Sequence, residues 1–379
     1  MVKLGDICTI VSGSTPKSNI PEYWDGDIKW ITPAELNEGT YIINDSVRHI
    51  TELGVAKTGL KPFPQGTVIL SSRAPIGKTA IAGCEMYCNQ GFKNLICSDR
   101  INPRYLYWFL TCNTEYLNSL GRGATFKEIS KEIVANIEIP LPAMEQQISV
   151  AEKFEKVSEL IALRKEQLDK LDQLVKSRFI ELFGDGSYPQ IPLIQLIVEG
   201  SGLSYGIIVP GDNVEDGVPM VRPSDFNNGE LCLDNVYRVA PEIEAKYTRT
   251  RLIGNEILVQ VIGQPGQIML SDSRCKGLNV TRNLAVVRPD CNRINRIYLK
   301  TYMQSQEAQA FMLGETKQST LKQLPLSRLK ELEIPVPPME LQEEFAAFVK
   351  QTEKSKLAIQ QSLDKLELLK KSLMQEYFG

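Results

Sequence analysis

The chain has 379 residues, of which 42% are hydrophobic and 23% are charged, and its formal net charge is −3. This length and composition are typical of a globular protein with two or three domains, each large enough to bury a hydrophobic core. No apolar run approaches the roughly 18 residues of a membrane span, and the first residues lack the apolar segment of a secretory signal. We therefore expect a cytoplasmic protein that uses no membrane. The net negative charge argues against a chain that grips nucleic acid by its overall charge alone.

Residue types that commonly carry catalysis or bind metals are scarce. His49 is the only histidine, and the eight cysteines show no CxxC spacing. A zinc site and histidine-dependent acid/base or nucleophilic chemistry are therefore not expected, although the spacing of Cys84 and Cys88 is open to a metal in principle. We predict no metal site and no catalytic residue in this chain.

The region 1–142 predicts a mixed α/β domain. Leu4–Val11 and Ile28–Ile31 have the patterns of strands. Thr32–Glu35 combine a capping Thr, a Pro at the first helical position and a Glu three residues after the Thr, which together predict a helix start. Asn102–Leu120 is rich in apolar and aromatic residues and predicts a helix whose aromatic face packs in the core.

A nucleotide-binding loop is one interpretation of the segment Gly77-Lys78-Thr79. A strand that runs into Gly-Lys-Thr resembles the end of a phosphate-binding loop. The full motif needs a glycine five residues before Gly77, where this chain has Ser72, and Ala80–Gly83 continues like a strand. We favour a hairpin turn with exposed basic residues and keep a nucleotide hydrolase as the rival hypothesis.

Two loops of the same region carry cations beside glycine. Asn89–Ile96 contains a lysine and a phenylalanine, and Gly121–Lys127 contains arginine, threonine and lysine. Glycine lets the backbone approach closely and these side chains donate hydrogen bonds, so such loops suit contact with a phosphate backbone. A plain solvated connection explains Gly121–Lys127 equally well on that segment alone.

A long helix is predicted for residues 143–184. Ile139–Pro142 is extended because proline lacks an N–H group and restricts the residue before it, whereas Glu145–Leu182 contains no Gly or Pro. At 1.5 Å per residue the stretch 145–182 would be roughly 57 Å long as a helix. The average helix has only about 11 to 12 residues, so this one is far longer than usual.

The same pattern returns 195 residues later, since residues 139–184 and 334–379 align without a gap. A fixed period of this length indicates an internal duplication. The chain is therefore interpreted as domain 1–142, helix 143–184, domain 185–337 and helix 338–379. The domains have diverged more than the helices, as expected if the helices share one mechanical role and the domains address different targets.

Each long helix carries a narrow apolar stripe with charged residues opposite to it. Spacings of three and four residues place the apolar side chains on one face, which indicates a single partner helix. We expect this partner to be the other long helix. The residues predicted for the contact are Leu168, Leu171, Leu174, Leu363, Leu366 and Leu369.

Layout and motifs together resemble the DNA-specificity subunit of type I restriction-modification systems, the HsdS family. Both long helices begin with Ile-Pro-x-Pro-x-Met-Glu-x-Gln, and the resemblance covers essentially the whole chain. The motifs that carry it, in order, are Ile28–Ile31, Arg73–Gly77, Asn89–Lys93, Gly123–Lys127 and the two helix starts at Ile139–Gln147 and Ile334–Gln342.

The resemblance implies duplicated α/β (α+β) target-recognition domains, each followed by a long α-helix, with the two helices paired as an antiparallel coiled coil. Each domain would read one half of a bipartite, asymmetric double-stranded DNA site. Two modification subunits would supply S-adenosylmethionine and methylate adenine, and two restriction subunits would supply cleavage driven by ATP and Mg. This chain would itself hold no cofactor and catalyse no reaction.

A few loop residues would then contact DNA, because base reading needs only a small number of side chains per half-site. Partner subunits would carry part of the phosphate neutralisation, which makes the acidic balance compatible with this function. The alternative is a coiled-coil scaffold whose two domains bind proteins. The candidate DNA-binding residues are Arg73, Lys78, Lys93, Arg122, Thr125, Lys127, Arg222, Arg282, Lys317, Thr320 and Lys322.

Overall fold

The structure, a computed structural model, describes residues 1–37, 39–73, 75–123, 127–227, 230–314 and 323–379. It contains two compact units. Unit 1 consists of Met1–Glu166 and Gln360–Gly379, and unit 2 consists of Gln167–Ile359. Each unit therefore includes part of both long helices. Thr125, Lys317, Thr320 and Lys322 lie outside the described residues.

Unit 1 is built on a five-stranded sheet of order β2-β9-β6-β7-β4, a three-stranded sheet of order β5-β3-β8 and a β1-β10 pair. Its central strands, such as Val68–Leu70, are buried on both faces and read as continuous apolar runs. The strands are β1 Val2–Lys3, β2 Cys8–Val11, β3 Trp24–Ile31, β4 Ile42–Ile43, β5 Arg48–Ile50, β6 Val68–Leu70, β7 Thr79–Ala82, β8 Tyr87–Cys88, β9 Asn94–Cys97 and β10 Glu138–Ile139.

The helices of this first part of the chain are short except for the last one. They are α1 Glu52–Thr58, α2 Pro103–Cys112, α3 Thr114–Ser119, α4 Lys131–Ala135 and α5 Met144–Phe183, with 3-10 turns at Leu4–Asp6, Pro21–Tyr23 and Pro33–Glu35.

Unit 2 repeats this strand order. Its sheets are β12-β20-β17-β18, β16-β13-β19, a β11-β21 pair and a β14-β15 hairpin. The strands are β11 Gln190–Pro192, β12 Ser204–Tyr205, β13 Val218–Val221, β14 Phe226–Asn227, β15 Glu230–Leu231, β16 Tyr237–Val239, β17 Ile257–Gln260, β18 Ile268–Leu270, β19 Asn279–Val280, β20 Leu284–Val287 and β21 Glu333–Pro335.

The helices of the second part of the chain follow the same plan, with one long helix at the end. They are α6 Pro241–Glu244, α7 Arg296–Met303, α8 Gln306–Leu313, α9 Leu326–Glu331 and α10 Met339–Phe378, with 3-10 turns at Leu193–Gln195, Pro223–Asp225, Ala245–Thr250 and Ser273–Cys275.

The internal duplication predicted from the sequence is confirmed by the strand pairing. In unit 1, β3 pairs antiparallel with β5 and parallel with β8. In unit 2, β13 pairs antiparallel with β16 and parallel with β19. The larger sheets share the antiparallel orders β2-β9-β6-β7 and β12-β20-β17-β18, so the fold class expected for the two domains is also confirmed.

Two helix predictions in the first domain need correction. The segment Asn102–Leu120 forms α2 and α3 rather than one helix, because Asn113 leaves the helical conformation and its side-chain amide donates 2.9 Å to the carbonyl of Phe109. The capped start at Thr32–Glu35 is present, but the helix is a single 3-10 turn. It stops because Leu36 returns to an extended backbone and is fully buried.

The two long helices pair antiparallel within each unit. In unit 1, Lys153 donates 2.7 Å to the hydroxyl of Tyr377 and Lys165 lies 3.4 Å from Glu367. In unit 2, Lys356 forms an ion pair of 2.8 Å with Asp172, and Arg178 lies 2.9 Å from Glu344. Residue numbers fall along α10 as they rise along α5, as the predicted antiparallel coiled coil requires.

The predicted contact residues divide into two groups. Leu363 is buried, and Leu168, Leu171 and Leu366 are half-buried. Leu174 and Leu369 are wrong predictions, because they are 48% and 45% exposed. Two successive steps of three residues rotate a side chain about 120° off the contact face, whereas a step of three followed by four keeps it there.

The next seam positions are therefore Val175 on α5 and Lys370 on α10, both half-buried. Burial lowers the pKa of Lys370, whose ammonium lies 5.0 Å from the ring centroid of Trp108. A cation over an aromatic face is a favourable contact for a side chain in this position.

Each long helix is attached to its domain by a buried glutamine from the repeated helix-start motif. Gln147 accepts 2.8 Å from the backbone N–H of Asn102, and its amide donates to the carbonyls of Arg100 and Pro142 at 3.1 and 2.9 Å. Gln342 accepts 2.8 Å from the N–H of Asn295 and donates 2.8 Å to a proline carbonyl. The duplicated motif therefore has the same structural role in both copies.

A second attachment joins α5 to unit 1. Glu155 receives a 2.6 Å hydrogen bond from Nε of Arg104, a further bond from Nη2 of Arg104 and one from the hydroxyl of Tyr41. Burial by itself would raise the pKa of Glu155, but the bonds from Arg104 and Tyr41 outweigh it and lower this pKa. Burial and the adjacent Glu155 carboxylate raise the pKa of Tyr41.

Aromatic side chains close both cores. In unit 1, Phe378 of α10 lies 5.3 Å from Tyr105 and stacks on Phe154 at 5.5 Å, as measured between ring centroids. In unit 2, Phe183 of α5 lies 4.8 Å from Tyr298. The last turn of each long helix thus completes a hydrophobic core.

Candidate nucleic-acid interface

Three loops of unit 1 meet at one edge of its large sheet. They are residues 71–78, 89–93 and 121–128, of which Ala74 and residues 124–126 lie outside the described part. The N–H of Ser72 donates 2.8 Å to Gly91, and the N–H of Ile129 donates 3.0 Å to Ser72. These backbone bonds hold the three loops side by side, and we call them the edge loops of unit 1.

The edge loops bring together the predicted cations of unit 1. Arg122 and Lys127 are exposed, whereas Arg73 and Lys78 are half-buried. Lys78 donates 3.2 Å from its ammonium to the carbonyl of Pro33. Arginine and lysine on adjacent loops form a local positive surface even though the whole chain is acidic.

Lys93 differs from its neighbours because it is only 8% exposed. Its ammonium lies 3.0 Å from the carboxylate of Glu128 and 3.3 Å from the hydroxyl of Ser72. A buried cation of this kind is held by its partners rather than directed to solvent. In this structure Lys93 joins the edge loops to one another.

The Gly77-Lys78-Thr79 segment lies in a β-hairpin. Ser71 and Lys78 are joined by a 2.8 Å backbone hydrogen bond, and Thr79 begins β7, which pairs antiparallel with β6. A phosphate-binding loop needs a helix N-terminus after the lysine, whereas a strand follows here. The hairpin is therefore confirmed, whereas its basic residues Arg73 and Lys78 are half-buried rather than exposed.

Unit 2 has matching edge loops around residues 260–267, 281–283 and 323. The N–H of Val261 donates 2.8 Å to Asn283, and the N–H of Leu324 donates 2.8 Å to Val261. These bonds correspond to those of Ser72 and Ile129 in unit 1, so the same edge is built twice.

Two predicted cations of unit 2 lie in different surroundings. Arg222 is half-buried, and its guanidinium forms a 2.8 Å ion pair with Asp225, which raises the pKa of Arg222. Arg282 is exposed on the loop that corresponds to residues 89–93. The backbone N–H of Arg282 donates 2.9 Å to the carbonyl of Ile207. The Arg282 side chain forms no hydrogen bond with another described residue.

A fourth loop, residues 13–15 in unit 1 and 206–208 in unit 2, lies beside each edge and was not part of the predicted site. Gly13 and Gly206 permit its close approach, since a Cβ on either would lie 1.9 Å from a carbonyl oxygen of β8 or β19. Ser14 then donates 3.1 Å to Cys88 in unit 1, and Ile207 donates 2.8 Å to Val280 in unit 2. The signal in the sequence was the glycine shared by both copies, because only glycine fits so close to another backbone.

Within the described ranges no helix is long and apolar enough to cross a membrane. The same residues contain no group of three or more His, Cys, Asp or Glu side chains arranged to hold a metal ion.

The chain is thus a duplicated α/β protein in which each copy ends in a 40-residue helix. The family model described as type I restriction modification DNA specificity domain matches residues 1–173 and 211–368. The chain belongs to this family.

Curated relatives agree with this assignment. The MjaIX specificity subunit of Methanocaldococcus jannaschii is 40% identical over 186 residues, which is 48% of this chain and 43% of that protein. The EcoBI specificity subunit of Escherichia coli is 24% identical over 326 residues, which is 76% of this chain and 68% of that protein. The alignment thus spans less than half of the MjaIX subunit.

Solved structures share the fold. The S subunit of the type I system of M. genitalium matches with a TM-score of 0.57 and 16% identity over 100% of this chain and 95% of that chain. A chain from a study of complex assembly and conformational transition of a type I R-M system matches with a TM-score of 0.60 and 19% identity over 100% and 96%.

Proposed function

We propose that this chain is the sequence-reading subunit of a type I restriction-modification complex and that its two units read the two halves of a bipartite, asymmetric DNA site. The observation that carries the proposal is the edge that occurs twice, with the same backbone bonds and different exposed side chains. A duplicated framework with diverged surface chemistry suits two different targets on one polymer. Residues 1–142 and 185–337 are the proposed target-recognition domains.

The edge loops are the proposed DNA contact in each unit. Arg73, Lys78, Arg122 and Lys127 would neutralise backbone phosphates in unit 1, since Arg and Lys can donate to phosphates without reading sequence. Lys93 would hold the loops in place through Glu128. Thr125 and, in unit 2, Arg222, Arg282, Lys317, Thr320 and Lys322 complete the proposed set.

The helices at 143–184 and 338–379 are proposed to set the distance between the half-sites. A continuous 40-residue helix is roughly 60 Å long, and paired helices resist bending better than a linker. The length of the unread gap in the DNA would then be a property of these helices.

Catalysis is assigned to partner subunits. Two modification subunits would bind S-adenosylmethionine and methylate adenine, and restriction subunits would use ATP and Mg to translocate and cleave DNA. This chain would act in the cytoplasm and catalyse no reaction itself. Partner contacts with phosphates would offset its formal charge of −3.

The test is to express the chain with the modification subunit of its own operon and to map adenine methylation across a genome. One bipartite motif with a fixed gap is the expected result. A stable complex with an active modification subunit and no such motif would overturn the proposal and favour the scaffold that binds proteins.

A further inference from the structure

The fourth loop and the second edge loop place one pair of exposed side chains at the same position in both units. The second edge loop is residues 89–93 in unit 1 and 281–283 in unit 2. Asn89 donates 3.1 Å to Ile31 in unit 1, and Thr281 donates 3.0 Å to Val221 in unit 2. The next residues along the chain are Gln90 and Arg282, which therefore occupy equivalent positions. On the fourth loop, the equivalent residues two after Gly13 and Gly206 are Thr15 and Ile208.

The chemistry of the pair differs completely between the units. In unit 1 the hydroxyl of Thr15 donates 2.5 Å to Oε1 of Gln90, and both residues are exposed. In unit 2 the pair is Ile208, which is 52% exposed, and the exposed Arg282. Val209 beside Ile208 is 69% exposed, so two branched apolar side chains face solvent on the loop whose Ile207 carbonyl accepts from the N–H of Arg282.

Folding does not account for these side chains. One backbone bond that anchors each of these two loops recurs in both units, and the exposed atoms contribute little to either core. The bond from Thr15 favours one orientation of the Gln90 amide.

We propose that Gln90 with Thr15, and Arg282 with Ile208, are the base-reading pairs of the two half-sites. This inference rests on the proposed function and deepens it. Glutamine can pair with N6 and N7 of adenine, arginine can pair with O6 and N7 of guanine, and an apolar side chain can contact the methyl group of thymine. Unit 1 therefore reads an A·T pair at this position, and unit 2 reads a G·C pair beside a thymine.

The experiment maps the methylation motif of the complete complex with Gln90→Ala and, separately, with Arg282→Ala. Each change should relax one position of one half-site, with discrimination there falling by roughly tenfold or more. The other half-site serves as an internal control and should stay the same. The double change Thr15→Ile with Gln90→Arg should shift the position read by unit 1 from A·T towards G·C.

Matched controls lie at the far ends of neighbouring strands. Gln65→Ala, just before β6, and Lys276→Ala, just before β19, remove exposed side chains of similar chemistry in the same units. Both should leave the motif intact. If they alter a base position as the test variants do, the assignment to Gln90 and Arg282 is overturned.

The outcomes separate this inference from the proposed function. A wild-type complex that gives no bipartite motif removes the proposed function. A wild-type complex that gives a motif, together with Gln90→Ala and Arg282→Ala complexes that methylate the unchanged motif with unchanged discrimination, removes only the inference. Relaxation at one position of the corresponding half-site in each variant supports it.

Discussion

Gln147 and Gln342 show how one side chain can attach a long helix to a domain. Each carboxamide is almost fully buried and bonds to the backbone ahead of the helix and to the cap of a domain helix. A helix of this length contacts its domain over only part of its surface, so its direction depends on such attachment points. These bonds explain the glutamine of the repeated motif in both copies.

Gln147→Ala should destabilise unit 1 by about 2 to 3 kcal/mol, because it leaves the Asn102 N–H and two carbonyls without their buried partner. Urea unfolding measures the change. Gln146→Ala removes the same side chain from an exposed position one residue earlier and should cost at most about 0.5 kcal/mol. Equal losses for the two variants would contradict the role assigned to Gln147.

The Glu155 carboxylate predicts a pH dependence of stability. Its pKa is lowered from the usual value of 4.5 in the folded state, so its stabilising contribution is complete above that value and is lost as pH falls through the lowered pKa. Glu155→Gln should therefore cost about 1 kcal/mol near neutral pH, a modest figure because the Arg104 side chain is 38% exposed.

The difference between wild type and Glu155→Gln should shrink as the pH falls well below 4.5. Urea unfolding at several acidic pH values measures it. Glu152→Gln, which removes one exposed negative charge from the same helix, is the control. A wild-type advantage that stays constant down to strongly acidic pH would show that ionisation of Glu155 is not its source.

At the residue scale, the sequence predicted the loops of the candidate site better than the side chains in them. Glycine and cations marked 89–96 and 121–127 as separate segments, but the sequence did not indicate that loops 89–93 and 121–128 lie side by side through Ser72. The burial of Lys93 could not be foreseen, because it depends on Glu128 from a loop distant in sequence. Thr15 and Gln90 are uncharged, and only the three-dimensional register of the two units reveals them.

Two leucine substitutions in α10 test which side chains form the contact between the long helices. Leu363→Ala should cost about 2 to 4 kcal/mol, because this side chain is 5% exposed within the seam. Leu369→Ala, the same substitution six residues later on the same helix, should cost less than about 1 kcal/mol because Leu369 is 45% exposed. Thermal unfolding of the two variants measures the contrast, and a larger loss for Leu369→Ala would refute the seam described here.

The element scale also shows why the seam was only partly predicted. Leu174 and Leu369 satisfy an apolar pattern of steps of three, and the sequence offers no penalty for an exposed leucine on a charged helix. The seam instead continues through Val175 and Lys370, and a lysine at a contact position does not look apolar. Its stem and its contact with Trp108 make that position favourable.

For the whole molecule, the sequence predicted the duplication, the two long helices and the mixed α/β class. It did not predict that each compact unit takes residues from both helices. Helix pairing supplies that information, because it depends on contacts such as those of Lys153, Arg178 and Lys356 with residues 166 to 224 positions away in the chain.

The proposed spacing role predicts the effect of lengthening both helices. Seven helical residues inserted after Glu166 in α5 and seven after Ile359 in α10 preserve the heptad register and add roughly 10 Å. The unread gap should then grow by about three base pairs, while both half-sites stay the same. Methylation mapping measures the gap, and an unchanged gap with an active complex would contradict a spacing role.

The position of Phe378 determines when the core of unit 1 can be completed during synthesis of the chain. The ring stacks against Phe154 and Tyr105 in unit 1, yet a ribosome must add all of Gln167–Ile359 between Glu166 and the segment that contains it. The aromatic surface of unit 1 that Phe378 covers therefore stays uncovered while unit 2 is being synthesised. The core of unit 1 is closed only after α10 has been made, so partly made chains are expected to depend on chaperones.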